Sequence, residues 1–405
     1  MGGWNDIGLK RLNTQRRWRL RGLLILVGVI LAIIPMLSFL SIKVDQSLNQ
    51  VLVSPPYPTS PEASTLHQTL QIADLHADPL LWNRNLLNRH GYGHIDIPRL
   101  VEANVALQGF GVVTKVPQDI NFEANSADTD QITQLVIAQR WPPRTWRSLL
   151  QRALYQAAKL QKIAERSQGQ VQIITNIQSL DRVTQPSNQQ IQTVGALLGL
   201  EGAQALEGQL SNLDKLFNAG FRQIGLTHFF DNEAAGSAHG MEQTGLTPFG
   251  RALVQRIQAK HMVIDLAHAS TQTIDDVLAL STAPVLASHT GVKGTCNSPR
   301  NLSDAEVKGI ADTGGVIGIG LFEPALCEPT LESAAQAMRY VADLVGVDHV
   351  ALGSDFDGAV TTPVDVSGLP LLTQALMDQG FTADEIAQIM GQNAIRMLRT
   401  VLPKE

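Results

Sequence analysis

The sequence predicts an α/β fold, a (β/α)8 barrel of the TIM type preceded by one N-terminal transmembrane helix. From about residue 69 onward, short apolar and β-branched segments alternate with longer helical stretches, a pattern typical of βα units around a parallel sheet. Eight such segments are candidate strands, and eight strands with crossovers favour a closed barrel. A doubly wound open sheet is the alternative, but no glycine-rich phosphate turn follows the first candidate strand.

The segment 22–42 contains no charged residue and is predicted to be the membrane anchor. At about 1.5 Å per residue, a helix of this length crosses a hydrocarbon core of about 30 Å. A cleaved signal peptide is the alternative, but the apolar run is long for one and no clear small-x-small cleavage site follows it. Residues 1–21 carry six basic side chains and one acid, which predicts a cytoplasmic N-terminus and a periplasmic or extracellular barrel.

Charge narrows the class of partner. The 405-residue chain has a net charge of −6, and because residues 1–21 carry +5, the remainder carries −11. Nucleic-acid binding needs a basic face, so nucleic acid is not expected as a partner. A single apolar run also argues against a transporter.

The candidate strands define the domain organisation after the anchor. Residues 43–68, with the Pro- and Ser-rich stretch 54–64, are predicted to be a linker, and residues 69–405 the barrel. A helical insertion is predicted at about 125–167, and a closing amphipathic helix at 382–402. The candidate strands are 71–75, 105–113, 194–200, 221–227, 261–267, 283–288, 315–321 and 349–354.

Titratable side chains follow six of the eight candidate strands. They are His76 and Asp78, then Glu201, His228, His268, His289 and Asp355. Active sites of such barrels form at the C-terminal ends of the strands, so these side chains are expected to converge. Imidazole and carboxylate groups suit zinc, and a catalytic zinc leaves a coordination position open. Any one of these residues alone is more often an ordinary loop residue, and the prediction therefore depends on their convergence.

The spacing predicts two metal half-sites. Alternate strand residues share a face, so His76 and Asp78 are expected to bind one metal. His268 and His289 are expected to bind a second, and Glu201 has two carboxylate oxygens with which to bridge. Two cysteines, Cys296 and Cys327, cannot form a thiolate zinc site alone, but such a pair in an exported domain is a candidate disulfide.

Seven motifs, in their order and spacing, resemble those of the membrane dipeptidase (renal dipeptidase, M19) family of the amidohydrolase superfamily. The resemblance spans roughly residues 70–400. The motifs are ADLHADPLLW (73–82), GLEG (199–202), LTHFFDN (226–232), DLAHAS (265–270), SHTGVKGTCNSPRNLSD (288–304), GGVIGIG (314–320) and DHVALGSDFDG (348–358). The resemblance implies a two-zinc barrel that hydrolyses dipeptides, and the family's dimers suggest a homodimer.

The resemblance also implies a role for each matching residue. His76 and Asp78 hold one zinc, Glu201 bridges, and His268 and His289 hold the other. His228 contacts the substrate near the scissile carbonyl. Arg300 pairs with the free C-terminal carboxylate of the substrate, and Asp355 transfers the proton. Cys296 and Cys327 resemble a disulfide pair that lies beside the arginine loop in animal members.

Two departures from the family pattern concern the substrate pocket. The first motif reads DLHAD where the family often has DGHND, and GLFEPALCEP (320–329), which includes Phe322, replaces a tyrosine-containing segment. The metal ligands are unaffected. They do not separate a dipeptidase from an N-acyl amino acid deacylase, a β-lactam hydrolase or a non-catalytic anchored binding protein, and these stay as alternatives.

Overall fold

A computed structural model describes residues 18, 36–37, 39–185 and 192–405. The predicted basic segment 1–21 and most of the predicted anchor 22–42 lie outside these residues. Within the described ranges, none of the helices is long and apolar enough to cross a membrane. The anchor and its topology therefore stay predictions.

The described part of the chain contains nine parallel strands, of which eight close into a barrel. The order around the barrel is β2-β1-β9-β8-β7-β6-β5-β4, and a pairing between β2 and β4 closes it, while the short β3 pairs beside the start of β4. The strands are β1 Ile72–Ala77, β2 Val105–Val113, β3 Val171–Ile173, β4 Val194–Glu201, β5 Phe221–Gly225, β6 Val263–Asp265, β7 Leu286–Thr290, β8 Val316–Ile319 and β9 Val350–Leu352. The closed barrel is confirmed, and the doubly wound alternative is wrong.

The helices surround this barrel and follow its strands. The α-helices are Pro61–Thr69, Ile97–Glu102, Ile132–Ala138, Leu149–Arg166, Ile177–Thr184, Asn212–Asn218, Pro248–Ala259, Thr271–Leu280, Asp304–Asp312, Glu323–Leu326, Leu331–Val345, Leu369–Asp378, Ala383–Ala387 and Asn393–Val401. Short 3-10 turns are Pro79–Leu81, Pro143–Thr145, Ala203–Leu206, Val347–His349 and Val366–Gly368. The predicted insertion 125–167 thus contains two α-helices and one 3-10 turn.

The strands are apolar because the barrel buries both of their faces. Every residue of β1, β2 and β4 is buried, as expected for parallel strands that helices cover. Alternate residues of the strands, such as Ala73 and Leu75, pack in one cluster with the C-terminal helix Asn393–Val401. This packing fixes the strands and so fixes the positions of the side chains at their ends.

The predicted C-terminal helix 382–402 is divided in the structure. Thr382 and Glu385 form a capping box at its start, but the helix changes to a π-helix at Gln388–Gln392 before it continues. A side chain on Gly391 would lie 1.8 Å from the Gln71 carbonyl oxygen, so the helix backbone passes very close to the start of β1. This close approach accompanies the change of helix type.

Residues 39–53, here called the 39–53 segment, pack on the barrel. Residues 39–48 are helical, and Val51 then pairs with Thr362 in a single parallel bridge. Leu52 N–H donates to the Thr362 carbonyl at 2.9 Å, and Val53 N–H to the Pro363 carbonyl at 3.0 Å. Part of the stretch predicted as a linker therefore contacts the loop after β9.

Candidate metal centre

The structure brings the candidate residues together at the C-terminal ends of the barrel strands. His76 is in β1 and Asp78 follows it, Glu201 ends β4, and His289 is in β7. His228 follows β5, His268 follows β6, and Asp355 follows β9. All seven are buried. The fold thus brings the candidate residues together at one rim of the barrel, as the sequence predicted.

Glu201 lies between two groups of ligands. Its Oε1 atom is 3.1 Å from His268 Nε2 and 3.3 Å from His289 Nε2. The same oxygen is 3.8 Å from His76 Nε2, which is 3.4 Å from Asp78 Oδ2. One carboxylate thus contacts the His268–His289 pair on one side and the His76–Asp78 pair on the other, as a bridging ligand would.

Several polar atoms of this cluster lack a hydrogen-bond partner although they are buried. Among the described residues these include His76 Nε2, Asp78 Oδ1 and Glu201 Oε2. Buried polar atoms are nearly always paired, because an unpaired one loses its hydration without compensation. Nitrogen and carboxylate donors that converge without partners fit a divalent cation such as zinc.

The electrostatics of the cluster also favour added positive charge. Burial alone lowers the pKa of His76, but the carboxylate of Asp78, then those of Glu201 and Asp355, raise it to about 10. Burial raises the pKa of Glu201 well above its usual value, and Asp78 adds to the shift. Both pKa shifts have the same origin, because buried carboxylates close together take up protons when no other cation is bound.

His268 and His289, the other two candidate ligands with imidazole rings, are neutral. Burial lowers the pKa of His268 and of His289 well below the ordinary value for imidazole, and Arg300 contributes to both shifts. Neutral imidazole is the form that binds a metal. The Nε2 atoms of the two rings lie 3.1 Å apart, and both point at the Glu201 carboxylate.

Asp74 and Asp265 hold the strand ends that carry the ligands. Asp74 accepts hydrogen bonds from Ser354 N–H at 2.8 Å and from the Ser354 hydroxyl at 2.6 Å. Asp265 accepts from the Ser288 N–H at 2.9 Å. Ser354 directly precedes Asp355, and Ser288 directly precedes His289. Each carboxylate therefore joins two neighbouring strands beside one of these residues and fixes where its side chain points.

Gly111 is a residue of the site that sequence reasoning missed. It lies in β2, and a Cβ atom there would be 2.2 Å from Asp78 Oδ1 and 2.6 Å from His76 Cε1. Only glycine allows both side chains to occupy these positions. The two glycines of the GFG sequence in β2 were the available signal, since glycine inside a strand often marks a close approach.

His228 and Asp355 flank the ligands. His228 Nε2 is 3.5 Å from Glu201 Oε2, and burial lowers the pKa of His228 to about 3, so its ring is neutral. Asp355 Oδ1 is 4.0 Å from His76 Nε2. Burial raises the pKa of Asp355 to about 8, against the opposing charge of His76. A carboxyl group with such a pKa exchanges its proton near neutral pH.

Arg300 lies in the same cavity as the cluster. Its guanidinium group donates from Nη2 to the His289 carbonyl and lies 5.7 Å from the centre of the Phe322 ring. Burial lowers the pKa of Arg300 to about 10, and the carboxylate of Asp355 opposes this. The predicted disulfide between Cys296 and Cys327 is confirmed, and it joins the loop after β7, which carries Arg300, to the segment after β8, which carries Phe322.

The cluster opens into a cavity of about 450 Å³. Glu201, His228, Arg300 and Asp355 all line it, together with apolar side chains such as Trp82. A carbonyl compound bound there would contact the ligand cluster, a neutral imidazole, a carboxyl group and a guanidinium group. This combination suits hydrolysis of an amide that carries a carboxylate.

Comparison with known proteins identifies the same family as the sequence motifs. The sequence profile of the membrane dipeptidase family (peptidase family M19) matches residues 61–403. The chain is 32% identical to an uncharacterized dipeptidase of Schizosaccharomyces pombe over 218 residues, 51% of this chain and 53% of that protein. It is 34% identical to a dipeptidase of Aspergillus oryzae, over 51% of this chain and 52% of that one. In both, the match spans about half the length of the relative.

A solved structure is similar over a longer stretch. A metallopeptidase from Rhodobacter sphaeroides, liganded with a phosphinate mimic of the dipeptide L-Ala-D-Ala, superposes with a TM-score of 0.68. The two chains are 25% identical, and the match covers 82% of this chain and 99% of the other.

Proposed function

Since this chain belongs to the membrane dipeptidase family of metallopeptidases, we propose that it hydrolyses dipeptides at a binuclear zinc centre. The observation that carries the proposal is the position of Glu201, whose carboxylate lies between the His76–Asp78 pair and the His268–His289 pair. The bound phosphinate mimic in the Rhodobacter sphaeroides protein supports a dipeptide as the class of substrate.

The residues would divide between two zinc ions. His76 and Asp78 would hold one, His268 and His289 the other, and Glu201 would contact both. When bound, the ions supply Lewis acidity, which polarises a carbonyl group and lowers the pKa of water. The unpaired buried atoms of the cluster support this assignment.

Arg300 would select a short peptide with a free C-terminus. A guanidinium group binds a carboxylate through two parallel hydrogen bonds, and burial strengthens such a pair. Because Arg300 and the ligand cluster line one cavity, a carboxylate on Arg300 would lie within reach of a peptide bond at the cluster. This arrangement favours a dipeptide over a longer chain.

His228 and Asp355 would act on the reacting groups. The neutral ring of His228 can donate a hydrogen bond to the oxygen on which negative charge develops as the peptide bond is attacked. The carboxylate of Asp355 would accept the proton of the attacking water and deliver it to the leaving amine. The burial of both groups beside the ligands supports these roles.

The barrel would act outside the cytoplasm, tethered to the membrane by residues 22–42. The charge asymmetry of the N-terminal segment supports a cytoplasmic N-terminus. The Cys296–Cys327 disulfide supports an oxidising compartment such as the periplasm or the extracellular space. The homodimer suggested by the family stays a prediction.

A substrate panel tests the activity. The purified protein with zinc would be assayed on L,L- and L,D-dipeptides, the same dipeptides with an amidated C-terminus, N-acyl amino acids and a β-lactam. We expect turnover of the free dipeptides and little turnover of the amidated ones. Preferred cleavage of N-acyl amino acids or of the β-lactam would assign the site to those alternatives. Bound zinc without any turnover would indicate the anchored binding protein.

A further inference from the structure

The 39–53 segment contributes side chains to the cavity that holds the metal centre. It precedes the family match, which begins at residue 61. Leu40, Val44 and Leu48 line the same cavity as Glu201 and Arg300. The three residues are spaced four apart on a helical stretch, so they share one face of it. The cavity wall of this chain is therefore built partly from outside the region that defines the family.

Buried charges fix this segment in place. Asp45 is 2% exposed, and its Oδ2 atom is 3.0 Å from Arg84 Nε. Arg84 also contacts Asp357, with 2.7 Å between Nη2 and Oδ2. All three side chains are buried, and removal of one partner of such a group leaves an uncompensated charge. The face that carries Val44 is therefore held toward the cavity.

A second set of contacts joins the segment to the loop that carries Asp355. Asn49 accepts a hydrogen bond from the Ala359 N–H at 2.9 Å, and Asn49 in turn donates to Asp45 at 2.8 Å. Asp357 lies two residues after Asp355, so the ion pairs reach the same loop. The segment is thus positioned relative to the metal centre itself.

The rest of the cavity lining is mostly apolar, with Ser41, Gln131 and Gln134 as its polar side chains. Among the described lining residues, the charged or titratable ones all belong to the ligand cluster, His228, Asp355 or Arg300. The barrel and the insertion contribute Trp82, Val113, Ile132 and Leu135 to the wall of the same cavity. The volume of about 450 Å³ lies within the range of pockets that enclose a whole small molecule. It leaves room for a larger side chain than that of alanine.

We propose that the 39–53 segment determines substrate specificity, with Val44 and Leu48 in contact with a bulky apolar side chain of the dipeptide. The chain then prefers a dipeptide with one leucine-sized residue to alanyl-alanine. This inference rests on the proposed dipeptidase function and adds a class of substrate side chain to it.

The test compares two leucines of the same segment. Leu48 lines the cavity and is 42% exposed, whereas Leu52 is 59% exposed and is not among the lining residues. Leu48→Ala, Val44→Asp and, as the matched control, Leu52→Ala would be made in the full chain. For each, kcat/KM would be measured on Leu-Ala, Ala-Leu and Ala-Ala, and the thermal unfolding midpoint and zinc content would be compared with those of the unaltered protein.

We expect the unaltered protein to cleave at least one leucine-containing dipeptide with a higher kcat/KM than Ala-Ala. Leu48→Ala is expected to reduce that ratio about tenfold, because the contact with the leucine side chain is lost. Val44→Asp should reduce it further, and Leu52→Ala should leave it unchanged.

The possible results distinguish a failure of this inference from a failure of the proposed dipeptidase function. If the unaltered protein cleaves none of the three dipeptides, the proposed function fails and the inference fails with it. If it cleaves them without a preference for leucine, or if Leu48→Ala and Val44→Asp leave the ratio as it is, only the inference is overturned. The same holds if Leu52→Ala alters the ratio as much as Leu48→Ala does.

Discussion

Gly111 shows how one missing side chain permits the metal centre. A Cβ atom at this position would lie 2.2 Å from Asp78 Oδ1 and 2.6 Å from His76 Cε1. His76 and Asp78, the proposed ligands of one zinc ion, can approach β2 only because this residue has no Cβ atom. A strand glycine weakens the strand, so its presence at this position indicates a packing requirement.

Gly111→Ala is therefore expected to displace His76 and Asp78 and to lower zinc affinity about tenfold or more, within the range seen when residues supporting a metal site are changed. Zinc binding would be measured by competition with a chelator of known affinity. Gly199→Ala is the matched control, because the atoms nearest to a Cβ atom there belong to Gln223 and are no closer than 3.5 Å. Equal zinc affinity in the two variants would contradict this account of Gly111.

Arg300 is the residue proposed to bind the C-terminal carboxylate of the substrate. Arg300→Ala should lower kcat/KM for dipeptides about thirtyfold or more, because the substrate carboxylate loses a buried charged partner. This change corresponds to about 2 kcal/mol of binding free energy. Most of the change should appear in KM, and zinc content should not change. Arg300→Lys should recover part of the loss. A variant that cleaves amidated and free dipeptides as the unaltered protein does would show that Arg300 does not bind the carboxylate.

The seven residues around the metal centre could be predicted from sequence because parallel strands end at one rim. Each chemical group stood directly at or after a recognisable apolar strand, so the fold alone implied convergence. Gly111 and Asp74 could not be found in the same way. Their importance comes from distances across the barrel, to Asp78 and to Ser354, which no local pattern encodes.

Among the structural elements, the loop after β7 that carries Arg300 is held by the Cys296–Cys327 disulfide. The disulfide joins residues 31 apart in the sequence and ties this loop to the segment after β8, which carries Phe322. A cross-link of this kind removes conformational freedom from the unfolded chain. It also limits how far the loop can move away from the cavity.

Replacement of both cysteines, Cys296→Ser with Cys327→Ser, should lower the free energy of unfolding by about 2–4 kcal/mol. Denaturant unfolding of the zinc-loaded protein would measure it, and reduction of the unaltered protein should produce a similar loss. We also expect KM to rise, since the loop that carries Arg300 becomes less constrained. Unchanged stability in the double variant would show that the disulfide does not constrain the loop.

The barrel strands were predictable because burial on both faces makes them continuously apolar. Three features of the elements were not. The strand β3 has only three residues, and the π-helix at Gln388–Gln392 accompanies the close approach of Gly391 to Gln71. The docking of the 39–53 segment depends on Asp45, whose partner Arg84 lies far along the chain and pairs in turn with Asp357.

At the scale of the whole molecule, the 39–53 segment links the predicted anchor to the cavity. It begins within the last residues of the uncharged run 22–42, and Leu40 already lines the cavity. If the run spans a bilayer, the cavity lies close to the membrane surface. This orientation follows from chain connectivity and from the ion pairs that fix Asp45.

The full-length protein is accordingly expected to sediment with membranes and to be released by detergent, because an apolar helix of this length holds the chain in the bilayer. Deletion of residues 22–37, which keeps the 39–53 segment, should move the protein to the soluble fraction with its barrel still folded. Release of the full-length protein by high salt or by alkaline carbonate alone would contradict the anchor.

The proposed activity requires two zinc ions that act together across Glu201. Titration of zinc into the metal-stripped protein, with dipeptide hydrolysis as the readout, tests it most directly. We predict that full activity requires two equivalents per chain, and that His268→Ala abolishes the second equivalent together with the activity. Full activity at one equivalent, or activity that survives complete removal of metal, would show that two zinc ions are not required.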